Sequence, residues 1–170
     1  MNTYAGIDIG TNTILMTIAK GDNCQKFDIL DDLHSIARLG EDVDKTGFIS
    51  ENAIRRAEII LKDYAQIMAK HKVDSALAVC TSSMRLAKNN LEVLQLFKKI
   101  LGCEVIIVSG EVEAELSFCG TIETPDEALV IDIGGGSTEI ILGENYQINY
   151  RISTEIGAVR LTERFLKHNP

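Results

Sequence analysis

A short phrase of this chain occurs twice: Ile7-Asp8-Ile9-Gly10 is echoed by Ile131-Asp132-Ile133-Gly134. Each copy closes a strand-like apolar run, leads into a turn of small polar residues, and is followed by another strand. Self-similarity of this kind is the mark of two related structural units, and it limits the folds available more than any other feature.

Periodicity fills in the first unit. Tyr4–Ile9, Thr13–Lys20 and Gln25–Leu33 read as strands, separated by turn signals at Gly10-Thr11-Asn12 and Gly21-Asp22-Asn23. Ser50 reads as an N-cap, and behind it Ile54, Ala57, Leu61, Tyr64 and Met68 mark one apolar face of a long helix. A strand over 76–80, a helix through Leu91, Leu94 and Leu101 ended by Gly102, a strand over 104–108 and a helix over 111–119 follow. Hairpins followed by crossover units predict an α/β domain with parallel pairing in its later strands. The segment 121–127, with its proline, reads as a hinge, so the expected domains are 1–124 and 125–170. The second begins again with strands over 128–132, 139–142 and 147–153 and a helix from about Ala158. It lacks the crossover strands of the first. A sheet edge and a helix face are then left uncovered, so a longer native chain or a partner is expected.

Composition narrows the function. Asp and Glu number 25 against 17 Lys and Arg, and Trp is absent, which argues against gripping a nucleic-acid backbone or stacking its bases. The same acidity means that loops or a divalent cation must supply the field for a polyanionic ligand. No apolar run nears the ~20 residues of a membrane span, and the start lacks the features of a signal peptide, so a cytoplasmic protein is expected. Cys24, Cys80, Cys103 and Cys119 show no metal or disulfide spacing, and Cys80 and Cys119 read as packing. His34, His71 and His168 are too scattered for a metal triad, and 167–170 reads as a frayed end.

The strongest local signal is Asp132-Ile133-Gly134-Gly135-Gly136-Ser137-Thr138-Glu139. Successive glycines let backbone N–H groups point inward and a phosphate approach closely. Ser137 and Thr138 add hydroxyls, and Asp132 and Glu139 bracket the turn with carboxylates suited to Mg²⁺ or its waters. A plain glycine-rich hairpin is the competing reading. No GxxxxGK[ST] is present, and a strand follows where a dinucleotide-binding fold would start a helix. Asp8-Ile9-Gly10-Thr11-Asn12-Thr13 is weaker alone and gains weight from its twin. Two such turns are expected to face each other across an interdomain cleft.

These motifs, with Arg38-Leu39-Gly40-Glu41, Thr46-Gly47, Thr81-Ser82-Ser83-Met84-Arg85, Ser109-Gly110-Glu111-Val112-Glu113-Ala114 and Gly157-Ala158-Val159-Arg160-Leu161-Thr162-Glu163, resemble one family over the whole chain. It is the exopolyphosphatase / guanosine pentaphosphate phosphohydrolase (Ppx/GppA) family, within the superfamily of actin, sugar kinases and heat-shock ATPases. The resemblance implies a ribonuclease H-like (actin-like ATPase) domain with a mixed five-stranded sheet, followed by the start of a second similar domain. It implies Mg²⁺-assisted attack of water on the terminal phosphate of polyphosphate or guanosine pentaphosphate, with Glu113 as general base. On the same footing Gly10, Thr11, Asn12, Thr13, Arg38, Arg85, Gly134, Gly135, Gly136, Ser137 and Thr138 would hold phosphate, and Asp8, Asp132 and Glu139 the metal. Nucleic-acid and membrane partners are not expected, and a homodimer stays open.

Read without the family, Glu113 is an ordinary helix glutamate between Glu111 and Glu115, and each arginine a surface ion-pair residue. Family members commonly carry a basic residue where this chain has Glu115. The rival functions are an ATP-dependent sugar or acid kinase of the same superfamily and a non-catalytic nucleotide or polyphosphate sensor. For the 170 residues by themselves, weak or no catalysis is expected.

Overall fold

Strict alternation sets the first sheet. Strand β1 (Asn2–Ile9) buries Thr3, Ala5, Ile7 and Ile9 on one side and turns Tyr4, Gly6 and Asp8 to the other. Strand β2 (Thr13–Asn23) returns antiparallel with Ile14, Met16 and Ile18 fully buried, and β3 (Lys26–Ile36) lies antiparallel to β2 at the edge. The structure is a computed structural model that describes residues 1–23 and 26–166. Cys24, Gln25 and the expected frayed end at 167–170, with His168, therefore lie outside the described residues.

The first unit then runs through α1 (Val43–Thr46), α2 (Glu51–His71), β4 (Ser75–Cys80), α3 (Ser82–Leu86), α4 (Asn90–Leu101) and β5 (Glu104–Ile107). Ser50 Oγ accepts from Ala53 N at 3.2 Å and starts α2, whose buried seam is Ala53, Ala57, Leu61, Tyr64 and Met68. Strands β4 and β5 add in parallel beside β1, giving the mixed order β3-β2-β1-β4-β5. One sequence expectation changes here. Gly21 and Asp22 belong to β2 instead of forming a turn, because the β2/β3 ladder continues to Asn23↔Lys26. In α4 the buried seam is Val93, Phe97 and Leu101, four residues apart, while Leu91 is 69% exposed.

The second unit holds α5 (Gly110–Thr121), β6 (Ala128–Ile133), β7 (Thr138–Glu144), β8 (Gln147–Thr154) and α6 (Ala158–Phe165), with an antiparallel sheet in the order β6-β7-β8. Ser109 Oγ accepts from Val112 N at 3.3 Å and caps α5. Ala114 and Phe118 of this helix pack with Val130 and Ile141 of the sheet. That packing places α5 in the compact unit that begins at Val108. No helix among the described residues is long and apolar enough to cross a membrane.

The thiols differ from one another. Cys80 is buried, and desolvation, with the nearby Asp8 charge adding, pushes its pKa from 9.0 up to about 12. Cys119 is exposed, against the packing expected for it. In the folded chain a thiol reagent is therefore expected to label Cys119 fast and Cys80 only on unfolding. Because the folded pKa of Cys80 is the higher one, its contribution to stability is complete below about pH 9 and is lost progressively toward about pH 12. Cys80→Ala should flatten that part of the unfolding free energy against pH, measured in urea; an unchanged slope would contradict the assignment.

Candidate functional site

In the first unit, three backbone segments are stitched together. Gly10 N donates to Thr13 O at 3.0 Å and closes a four-residue turn between the paired residues Ile9 and Ile14. The segment after β3 is tied to that turn: Ala37 N and Arg38 N donate to Asn12 O at 3.0 and 2.9 Å, and Gly40 N to Thr11 O at 2.8 Å. Gly40 lies so close that a Cβ there would meet the Thr11 methyl at 2.2 Å and Ser83 Cβ at 3.3 Å. The third segment is α3, hung from β1 by Thr81 N to Ile9 O at 3.3 Å. Asp8, Gly10, Thr11, Asn12, Thr13, Arg38 and Arg85 are thus carried by one stitched set of segments.

Thr11 and Ser83 are buried within that set, and neither Oγ has a hydrogen-bond partner. A buried hydroxyl left without a partner is uncommon in folded proteins and calls for a water or a ligand. Arg38 takes a left-handed φ of 50° and is exposed, while its carbonyl accepts from Arg56 Nη2 at 3.0 Å. Arg56 also donates to Ala37 O at 2.7 Å and pairs with Glu41 at 2.8 Å. This one guanidinium braces the whole 37–41 segment. Sequence reading passed over it because nothing separates it from its neighbour Arg55.

The second unit repeats the turn. Gly134 N donates to Ser137 O at 2.9 Å between the paired residues Ile133 and Thr138. The glycine loop is seated on α6: Ala158 N donates to Gly134 O at 2.9 Å, and Val159 N and Arg160 N donate to Gly135 O at 2.9 and 3.2 Å. In a trans peptide the N–H points opposite to the C=O of the same unit. With the Gly134 and Gly135 carbonyls aimed at α6, the N–H groups of Gly135 and Gly136 are aimed away from it. Two consecutive N–H groups are thus presented on the side of the loop away from α6.

Carboxylates gather on the α5-covered face of this unit. Asp132 and Glu139 are directly opposite in the β6/β7 ladder, so their side chains leave the same face. Ser117 of α5 donates to Asp132 Oδ2 at 2.5 Å, and Ser153 of β8 donates to Glu139 Oε1 at 2.7 Å. Glu139 is only 1% exposed. Glu113, half-buried in the first turn of α5, precedes Ser117 by four residues and shares its helix face. Glu115 is held by Arg151 at 2.7 Å, and Arg151 also reaches Glu111 at 3.8 Å, so the acidic residue at this position comes with its own counter-charge. The i,i+4 spacing of Glu113 and Ser117 was the available sequence signal for the role of that serine, and it went unread.

The backbone places the chain in a class. The protein EutJ of Carboxydothermus hydrogenoformans, 20% identical, superposes on 96% of the chain with a TM-score of 0.57, and the architecture is that of the actin-like ATPase fold. The chain belongs to the Ppx/GppA phosphatase family, which residues 17–170 match. It is 38% identical to exopolyphosphatase 2 of Mycobacterium tuberculosis across 100% of this chain and 57% of that protein. An exopolyphosphatase crystal structure from Cytophaga hutchinsonii, 35% identical, covers 99% of this chain and 55% of its own, with a TM-score of 0.91. The chain thus spans about half the length of the curated relatives it matches.

Proposed function

We propose that this chain carries the phosphate-holding loops and the general base of a phosphoanhydride hydrolase that releases terminal orthophosphate from inorganic polyphosphate or guanosine pentaphosphate. The observation that carries the reading is the repeated turn. The same four-residue closure, Gly10 N to Thr13 O and Gly134 N to Ser137 O, follows an Asp at the same ladder position in both units. Membership of the Ppx/GppA phosphatase family supports the reaction class.

In this reading the Gly135 and Gly136 N–H groups, the hydroxyls of Thr11, Thr13, Ser137 and Thr138, and the guanidinium groups of Arg38 and Arg85 hold phosphoryl oxygens. Asn12 contributes through its turn, whose carbonyl anchors Ala37 and Arg38. Glu113 orients a water and takes its proton as oxygen attacks the terminal phosphorus; the bridging P–O bond breaks, and the shortened chain leaves with its electron pair.

A divalent cation such as Mg²⁺ suits the donor set of the second unit. Like charges directly opposite in a ladder destabilise a sheet, and Asp132 faces Glu139 with Glu139 fully buried. No group of three His, Cys, Asp or Glu among the described residues makes a cage by itself. Mg²⁺ commonly uses one or two carboxylates and completes its shell with waters and phosphate oxygens, so the pair suffices. Bound there, Mg²⁺ would neutralise charge on the phosphoryl oxygens. Asp8 has Leu15 and Val79 opposite it in its ladders, so its claim to metal rests on the repeat alone.

Phosphate release from polyphosphate and from guanosine pentaphosphate, measured with and without Mg²⁺ on the full natural chain, tests the proposal. Release dependent on the metal is the expected result. ATP consumption that depends on an added sugar, with neither polyanion hydrolysed, would overturn it in favour of a kinase.

A further inference from the structure

Two serines outside the loops hold the opposed carboxylates. Each donates one short hydrogen bond to one acid, Ser117 to Asp132 Oδ2 at 2.5 Å and Ser153 to Glu139 Oε1 at 2.7 Å. They come from opposite sides, one from α5 and one from β8, while the acids stand on β6 and β7. Ser153 is directly opposite Glu139 in the β7/β8 ladder, so one row across the sheet reads Asp132–Glu139–Ser153. No hydrogen bond reaches Asp132 Oδ1 among the described residues, and that oxygen remains available to a ligand.

We infer that Ser117 and Ser153 are positioning residues that aim Asp132 and Glu139 at one shared divalent cation; the inference rests on the metal reading given above. A carboxylate on a flexible stem must lose rotamer freedom to ligate, and a fixed donor on one oxygen removes that cost beforehand. Partners of this kind are worth about 10- to 100-fold in metal affinity. Ser117 has a second consequence. It sits one helical turn after Glu113 on the same face, so the bond that aims Asp132 also pins α5 at a fixed height against β6. The helix carrying the base and the strand carrying a metal ligand are joined through a single hydroxyl.

The test uses Mn²⁺ alone as the probe, with its free fraction read by electron paramagnetic resonance in the full natural chain. Ser117→Ala and Ser153→Ala are each expected to weaken Mn²⁺ binding by about 10-fold or more, and Ser117→Thr and Ser153→Thr to restore it by returning the donor. Asp132→Asn runs alongside. If it abolishes binding while both alanine variants bind as the parent does, the serines only support the fold, and this inference fails without touching the metal reading. If Asp132→Asn itself binds normally, the metal reading falls and takes this inference with it. Thermal unfolding without metal separates the effects further: a variant that melts lower yet binds Mn²⁺ unchanged also overturns the positioning role.

Discussion

Glu113→Gln in the full natural chain is expected to lower turnover of polyphosphate by about 100- to 10,000-fold while substrate binding stays near its starting value. Glutamine keeps the size and hydrogen-bonding capacity of the side chain but cannot take a proton from water. The loss corresponds to about 3 to 5 kcal/mol of transition-state stabilisation. Glu111→Gln and Glu115→Gln are the informative controls, since these acids flank Glu113 and face Arg151 instead. They exchange partly exposed ion pairs worth little individually, so turnover should change by less than about 10-fold. Equal losses in all three variants would show that α5 needs its charge as a whole, and the assignment of one base would fail.

Gly157→Ala should produce the largest loss of order in the second unit. An added Cβ would stand 2.4 Å from Gly135 O and 2.5 Å from the carbonyl carbons of Gly135 and Gly136, all of them backbone atoms that cannot rotate away. Its backbone is extended, with φ −142°, so alanine is tolerated locally and any damage comes from contact alone. Moving α6 off the loop would break its bonds to the Gly134 and Gly135 carbonyls and release the orientation of the N–H groups behind them. Urea unfolding should show a loss of about 1–3 kcal/mol, together with weaker phosphate binding. Gly120→Ala, at a helical position where nothing lies within 4 Å of the new Cβ, should be neutral or slightly stabilising. Similar stabilities for the two variants would refute the seating of the loop on α6.

Features governed by local rules were legible in the sequence. The twin turns, the Ser50 cap, the Gly102 stop and the seam of α2 each depend on residues a few positions apart. What was not legible has another cause. Apolarity alone does not say which face of α4 is buried; Val93, Phe97 and Leu101 lie on that face and Leu91 does not. The β2 strand runs past Gly21 because pairing with β3 outweighs the turn preference of Gly-Asp-Asn. The supports of the site were hidden for the same reason. Arg56 braces a segment 15 to 19 positions earlier, and Ser153 meets Glu139 only across a ladder whose register no single strand encodes.

The repeated turn holds one difference with a consequence of its own. Across from Asp8 in its hairpin stands Leu15; across from Asp132 stands Glu139. The two backbones are copies, but only one carries a second acid. On the proposed reading, that single ladder position gives the second unit alone a pair of carboxylates to offer a cation, beside the loop that would face the anion. Leu15→Glu would therefore ask whether the chelating chemistry can be copied along with the frame.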